Sequence, residues 1–197
     1  MDLKTEVISI EAEAYGVIGE AKFIDFEDGT TSGLQSASPG KAKHGVLKVQ
    51  KSDEEHGNSL YFEFDGTLYD ASVVDDRPFI LVETVTGKYG TYIYEADFNF
   101  SQVETAGNFF SLKTDNNKWN SMFTMSNGDI KLTFGNKETI YSGLEANTWV
   151  KLKASWDIEA KTADFYVDDV LVANDIPMPN KGGGCLPPRI PYKKQDG

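Results

Sequence analysis

Apolar and polar residues alternate with a period of two along much of the chain. In Tyr94-Glu95-Ala96-Asp97-Phe98-Asn99-Phe100, Tyr94, Ala96, Phe98 and Phe100 fall on one side, and Glu95, Asp97 and Asn99 on the other. That pattern predicts a strand with one dry and one wet face. Leu60 to Asp65 repeats it with Leu60, Phe62 and Phe64 inward, and Ile130 to Phe134 does so again. Val150, Leu152, Ala154 and Trp156 alternate with Lys151, Lys153, Ser155 and Asp157, and Ala163, Phe165 and Val167 with Asp164, Tyr166 and Asp168. Asp65-Gly66, Asn127-Gly128-Asp129, Gly135-Asn136 and Asp168-Asp169 mark tight or bulged turns between the runs. Many short strands at this spacing, with no long amphipathic pattern of period 3.6, predict an all-β fold: an antiparallel β-sandwich of jelly-roll type. Val7-Ile8-Ser9-Ile10 reads as a strand near the N-terminus, and Ser32 to Lys43 as a loop.

The chain divides into a sandwich domain over residues 1–179 and a tail or linker over 180–197. In that tail Gly182-Gly183-Gly184, Pro187-Pro188 and Pro191 break strands and leave little to bury.

Trp149 to Asp157, followed by Ala163-Asp-Phe-Tyr-Val-Asp168-Asp169-Val-Leu-Val-Ala-Asn174, resembles the penultimate strands of the concanavalin A-like lectin/glucanase superfamily, in its laminin-G-like form. Phe23-Ile-Asp-Phe-Glu-Asp-Gly29 is similar to the opening strand of those domains, and Tyr92 to Phe100 to their central strand. Asp169 stands where those domains usually carry glycine, and aspartate tolerates positive φ better than most residues. The resemblance covers roughly residues 20–176. It implies a jelly roll that binds carbohydrate, and it speaks to fold more than to function. Those domains usually return with a final strand near the N-terminal one, and Gly182 onward supplies none. Either the Glu6 to Phe26 region completes the sheet differently, or the chain ends irregularly.

The composition narrows the chemistry. Of 197 residues, 40% are hydrophobic and 12% aromatic, enough for one sizeable core. The formal charge of −12 repels phosphate backbones, so nucleic acid is not an expected partner. No run approaches the roughly 20 apolar residues of a membrane-spanning helix. Cys185 is the single cysteine, which excludes an internal disulfide, and His44 and His56 are too few for a multi-histidine zinc site. No signal peptide opens the sequence, so a secreted or cell-surface location requires a signal outside it.

Two binding sites are expected. Jelly rolls of carbohydrate-binding type often hold a structural calcium, which takes six to eight oxygen ligands. Asp25, Glu27 and Asp28 offer carboxylates early, and Asp168 and Asp169 offer them late. The competing reading is a set of solvated turn carboxylates. Sugars stack their C–H faces on flat aromatic rings and bond their hydroxyls to nearby amides, carboxylates and amines. Trp119, with Asn116 and Asn117 in its loop, forms one such candidate. The wet-face residues Tyr61, Tyr166, Glu95, Asp97 and Asn99 form a second.

No catalytic residue is assigned. A retaining glucanase needs two carboxylates across the sugar; Glu95 and Asp97 share a face, but no third carboxylate follows in the usual spacing. The reading is a non-catalytic carbohydrate-binding module for a polysaccharide or glycan, part of a larger secreted or surface protein. A structural or interaction jelly roll in a viral, phage or cell-surface component is the alternative. A polysaccharide-degrading hydrolase or lyase ranks third.

Overall fold

The computed structural model describes residues 2–6, 11–12, 17–18, 23–38, 45–64, 79–81, 90–104, 107–113, 119–133 and 136–178. The described residues form β-strands joined by turns and contain no helix. In chain order the strands are β1 (Asp2–Glu6), β2 (Glu11–Ala12), β3 (Val17–Ile18), β4 (Phe23–Ile24), β5 (Ser36–Ser38), β6 (Gly45–Asp53), β7 (Gly57–Phe64) and β8 (Phe79–Leu81). They continue with β9 (Thr91–Asn99), β10 (Gly107–Lys113), β11 (Trp119–Ser126), β12 (Asp129–Leu132), β13 (Thr139–Ser142), β14 (Trp149–Asp157), β15 (Thr162–Val167) and β16 (Val170–Pro177).

The fold is all-β, and among the described residues every pairing is antiparallel. The larger sheet runs β16-β15-β14-β9-β1-β7-β6, with β4 pairing β1 off that path. A second sheet runs β10-β11-β12-β13. The inner faces of the two sheets share one core, as in a sandwich. Phe98, Leu152, Ala154, Trp156 and Phe165 from the large sheet are buried with Phe123, Met125 and Ile130 from the smaller one. Phe165 and Phe123 meet across the interface with ring centroids 4.3 Å apart. The alternation expected from the sequence is realised: β14 buries Val150, Leu152, Ala154 and Trp156, and β15 buries Ala163, Phe165 and Val167.

Two hairpins use the turns that the sequence marks. Asn127 and Gly128 both have positive φ, 53° and 74°, and join β11 to β12. Asp168 and Asp169 do the same between β15 and β16, at 49° and 63°. Two left-handed residues match the twist of the flanking strands, which explains why aspartates are tolerated there.

The N-terminal segment completes the large sheet. β1 lies inside it, pairing β9 along its length and β7 at Asp2 and Leu3. The expected strand at Val7 to Ile10 lies outside the described residues, as do Asp65-Gly66, Gly135 and the tail at 180–197. One expectation is corrected. The segment read as a loop contains β5, whose Ser36, Ala37 and Ser38 pair with Leu81, Ile80 and Phe79 of β8. The strand Ser36-Ala37-Ser38 is made of small residues without hydrophobic periodicity, so its backbone pairing left no mark on the pattern.

Candidate functional site

The large sheet has one side on the core and one facing away from it, and the second side gathers most of the predicted sugar-contact residues. On β9, Tyr94, Ala96 and Phe98 are buried in the core, so Glu95, Asp97 and Asn99 lie on the opposite side. On β15, Tyr166 lies between the core residues Phe165 and Val167 and takes the same outer side. Tyr61 follows the core residue Leu60 on β7 and does likewise. Registry places Lys153 of β14 between Glu95 of β9 and Tyr166 of β15, and Lys151 opposite Asp97.

Side-chain contacts follow from that registry. Lys153 Nζ stands 4.7 Å from the centroid of the Tyr166 ring. It lies 3.5 Å from Glu95 Oε2 and 3.4 Å from Asp169 Oδ1. Lys151 Nζ donates to Asp169 Oδ2 at 2.6 Å. That bond lowers the Asp169 carboxyl pKa and raises that of Lys151, because each partner favours the other's charged form. Tyr61 has a similar setting: its hydroxyl donates to Glu63 Oε2 at 2.6 Å, and Lys48 Nζ lies 5.1 Å from its ring centroid.

Two outer-side groups are unusual in their burial. Glu95 is 3% exposed and Ser59 0%. Glu95 Oε2 and Ser59 Oγ are both buried without a hydrogen-bond partner. Buried polar atoms in folded proteins are nearly always paired, so each such atom calls for an explanation.

The remaining predicted residues are placed elsewhere. Trp119 opens β11, paired with Lys113 of β10, so it belongs to a strand of the second sheet and not to a loop. Asn116 and Asn117 lie outside the described residues. Asp25 Oδ1 accepts from the Glu27 amide at 3.1 Å, and Asp28 from the amide and hydroxyl of Thr30, both at 2.8 Å. Glu27 Oε1 accepts from the Asn58 amide at 2.8 Å, tying the chain after β4 to the start of β7. Asp168 Oδ1 accepts from the Lys151 amide at 2.9 Å, and its own amide donates to the Lys151 carbonyl. The early and late carboxylates are thus each engaged by amides, a hydroxyl or lysine of the protein. Among the described residues no three His, Cys, Asp or Glu side chains form a group able to hold a metal ion.

A search of protein-family models finds no match for this chain, and neither does a search of curated proteins. Among the described residues no helix is long and apolar enough to cross a membrane.

Sequence reasoning missed one cluster. Asp53 and His56 sit at the turn between β6 and β7, and Trp149 begins β14. The His56 and Trp149 rings stack at 4.0 Å with an interplanar angle of 15°. Trp149 Nε1 donates to Asp53 Oδ2 at 2.9 Å, and His56 Nδ1 lies 2.9 Å from Asp53 Oδ1. Trp149 precedes the buried Val150 and so is out of phase with the core residues of β14. β9 and β1 separate β14 from β7 in the sheet. The signal available in the sequence was Asp53-Glu-Glu-His56-Gly57, an aspartate able to cap its own turn.

The same cluster sets a pH dependence. The His56 amide, then the side chains of His56 and Trp149, hold the Asp53 carboxyl down at about 2 from an ordinary 3.8. A depressed carboxyl contributes stability that is complete above its unfolded value and is lost as the pH falls through its folded one. Wild-type protein is expected to lose its stability advantage over Asp53→Asn as the pH falls from 3.8 towards 2. Denaturant titrations of both proteins at several acidic pH values check this; a gap constant across that interval would contradict it.

Proposed function

We propose that this protein is a non-catalytic carbohydrate-binding module of a secreted or surface protein. It takes a polysaccharide or glycan on the side of the large sheet that faces away from the core. One observation carries the reading: Tyr61, Glu95, Asp97, Asn99 and Tyr166 all fall on that side, with Lys153 among them. Aromatic rings interleaved with carboxylate, amide and amine groups on a sheet suit a ligand that is apolar on its C–H faces and polar at its edges. A sheet also fixes such groups more precisely than loops do.

The acidic character of the chain fits the same reading. A formal charge of −12 disfavours nucleic acid and acidic surfaces as partners. Glu95 and Asp97 face Lys153 and Lys151 in register, an arrangement that pairs charge across strands. That serves recognition better than hydrolysis, which needs two carboxylates free to act on one bond.

Native gels cast with individual soluble polysaccharides test the proposal. At least one is expected to retard the folded protein, and Tyr166→Ala is expected to run faster than wild type in that gel. Unretarded migration of wild type through every polysaccharide would contradict the reading.

A further inference from the structure

The buried carboxylate of Glu95 has an unsatisfied oxygen at the centre of the proposed binding side. Its Oε2 has no hydrogen-bond partner although the residue is only 3% exposed. The nearest cation, Lys153 Nζ, stands at 3.5 Å, the long end of an ion pair. The same ammonium also lies over the Tyr166 ring and 3.4 Å from Asp169 Oδ1. One flexible side chain thus stands against a carboxylate, a ring face and a second carboxylate at once. Its contacts with the two carboxylates are both long.

We propose that Glu95, Lys153 and Tyr166 form a subsite for the vicinal hydroxyls of an uncharged sugar ring, an inference that rests on the carbohydrate-binding reading above. Lys153 swings from its resting position, which uncovers Glu95 Oε2 and the Tyr166 ring together. One sugar hydroxyl then donates to Oε2, and a neighbouring hydroxyl accepts from Lys153 Nζ. The C–H face of the sugar replaces the ammonium on the ring. This satisfies the orphaned oxygen and exchanges two long contacts for hydrogen bonds to charged groups, which are stronger than neutral ones.

The charge pattern selects the class of sugar. Lys151 and Lys153 balance Glu95 and Asp169, and Asp97 stands opposite Lys151, leaving one excess negative charge. A uronate or sulfated sugar would bring its charge against Glu95 and Asp97. A neutral ring meets no such cost, and its affinity should depend little on salt.

Calorimetric titration with neutral and acidic oligosaccharides, at low and high salt, tests the subsite. Wild type is expected to bind a neutral oligosaccharide with nearly salt-independent affinity. Glu95→Gln, which keeps the shape and removes the charge, is expected to bind it about tenfold more weakly. Tyr166→Ala, on an exposed side of its strand, supplies a second reading should Glu95→Gln fail to fold, and is also expected to weaken binding. If wild type binds a neutral sugar and the folded variants bind equally well, the subsite is wrong and the broader reading stands. Preference for acidic sugars with strong salt dependence would overturn the neutral class. Absence of binding to any sugar would overturn both.

Discussion

Replacing Phe165 with alanine is expected to remove about 3–5 kcal/mol of folding stability. Phe165 is 0% exposed, and its ring lies 4.3 Å from Phe123 of the opposing sheet. Truncation removes that contact and leaves a cavity between two sheets whose backbones cannot close on it without disturbing their ladders. The next residue provides the control. Tyr166 alternates to the far side, so Tyr166→Ala should cost under about 1 kcal/mol. Urea unfolding of the two variants measures the contrast. Equal losses would mean that β15 does not present Phe165 to the core.

Trp149→Ala should cost about 2 kcal/mol, from the lost ring stack and partly buried area. The indole joins the start of β14 to the β6–β7 hairpin through both a ring contact and a hydrogen bond. The strands it connects are not neighbours in the sheet, so no backbone ladder replaces the link. Trp149→Phe keeps a ring against His56 and loses the N–H, and should fall between wild type and alanine. In a double-mutant cycle, His56→Ala and Trp149→Ala should couple by about 1 kcal/mol. Additive losses would show that the stack contributes nothing of its own.

The parts of the fold legible in the sequence were those where burial and period coincide. β14 and β15 bury alternate residues and were readable residue by residue, and β9 follows the same alternation except at the buried Glu95. The Asp168-Asp169 turn was readable too, because two residues between alternating runs demand positive φ. Pairing partners were not. Nothing in Asp2 to Glu6 shows that it lies between β7 and β9, since that choice is made by the rest of the sheet. β5 escaped notice because Ser36-Ala37-Ser38 carries backbone pairing without an apolar face.

The candidate site was legible in the same uneven way. Alternation alone put Tyr61, Glu95, Asp97, Asn99 and Tyr166 on a polar side, and the structure keeps them there. Trp119 was assigned to a loop from its amide neighbours, yet it opens a strand of the second sheet. The burial of Glu95 could not be read, because alternation gives the side of a sheet and not what covers it. From its place directly before Val150, Trp149 reads in the sequence as a core residue in phase with Val150–Ala154 or as a cap of that strand. It sits one residue out of phase with Val150, and its indole N–H is spent on an aspartate distant in sequence.

The most direct test of the account is backbone chemical-shift mapping of labelled protein titrated with the neutral oligosaccharide it binds best. The largest shifts are expected to centre on Glu95, Lys153 and Tyr166, extend to Asp97 and Asn99, and leave β11 and β12 undisturbed. Shifts centred on the second sheet, or none at saturating sugar, would contradict it.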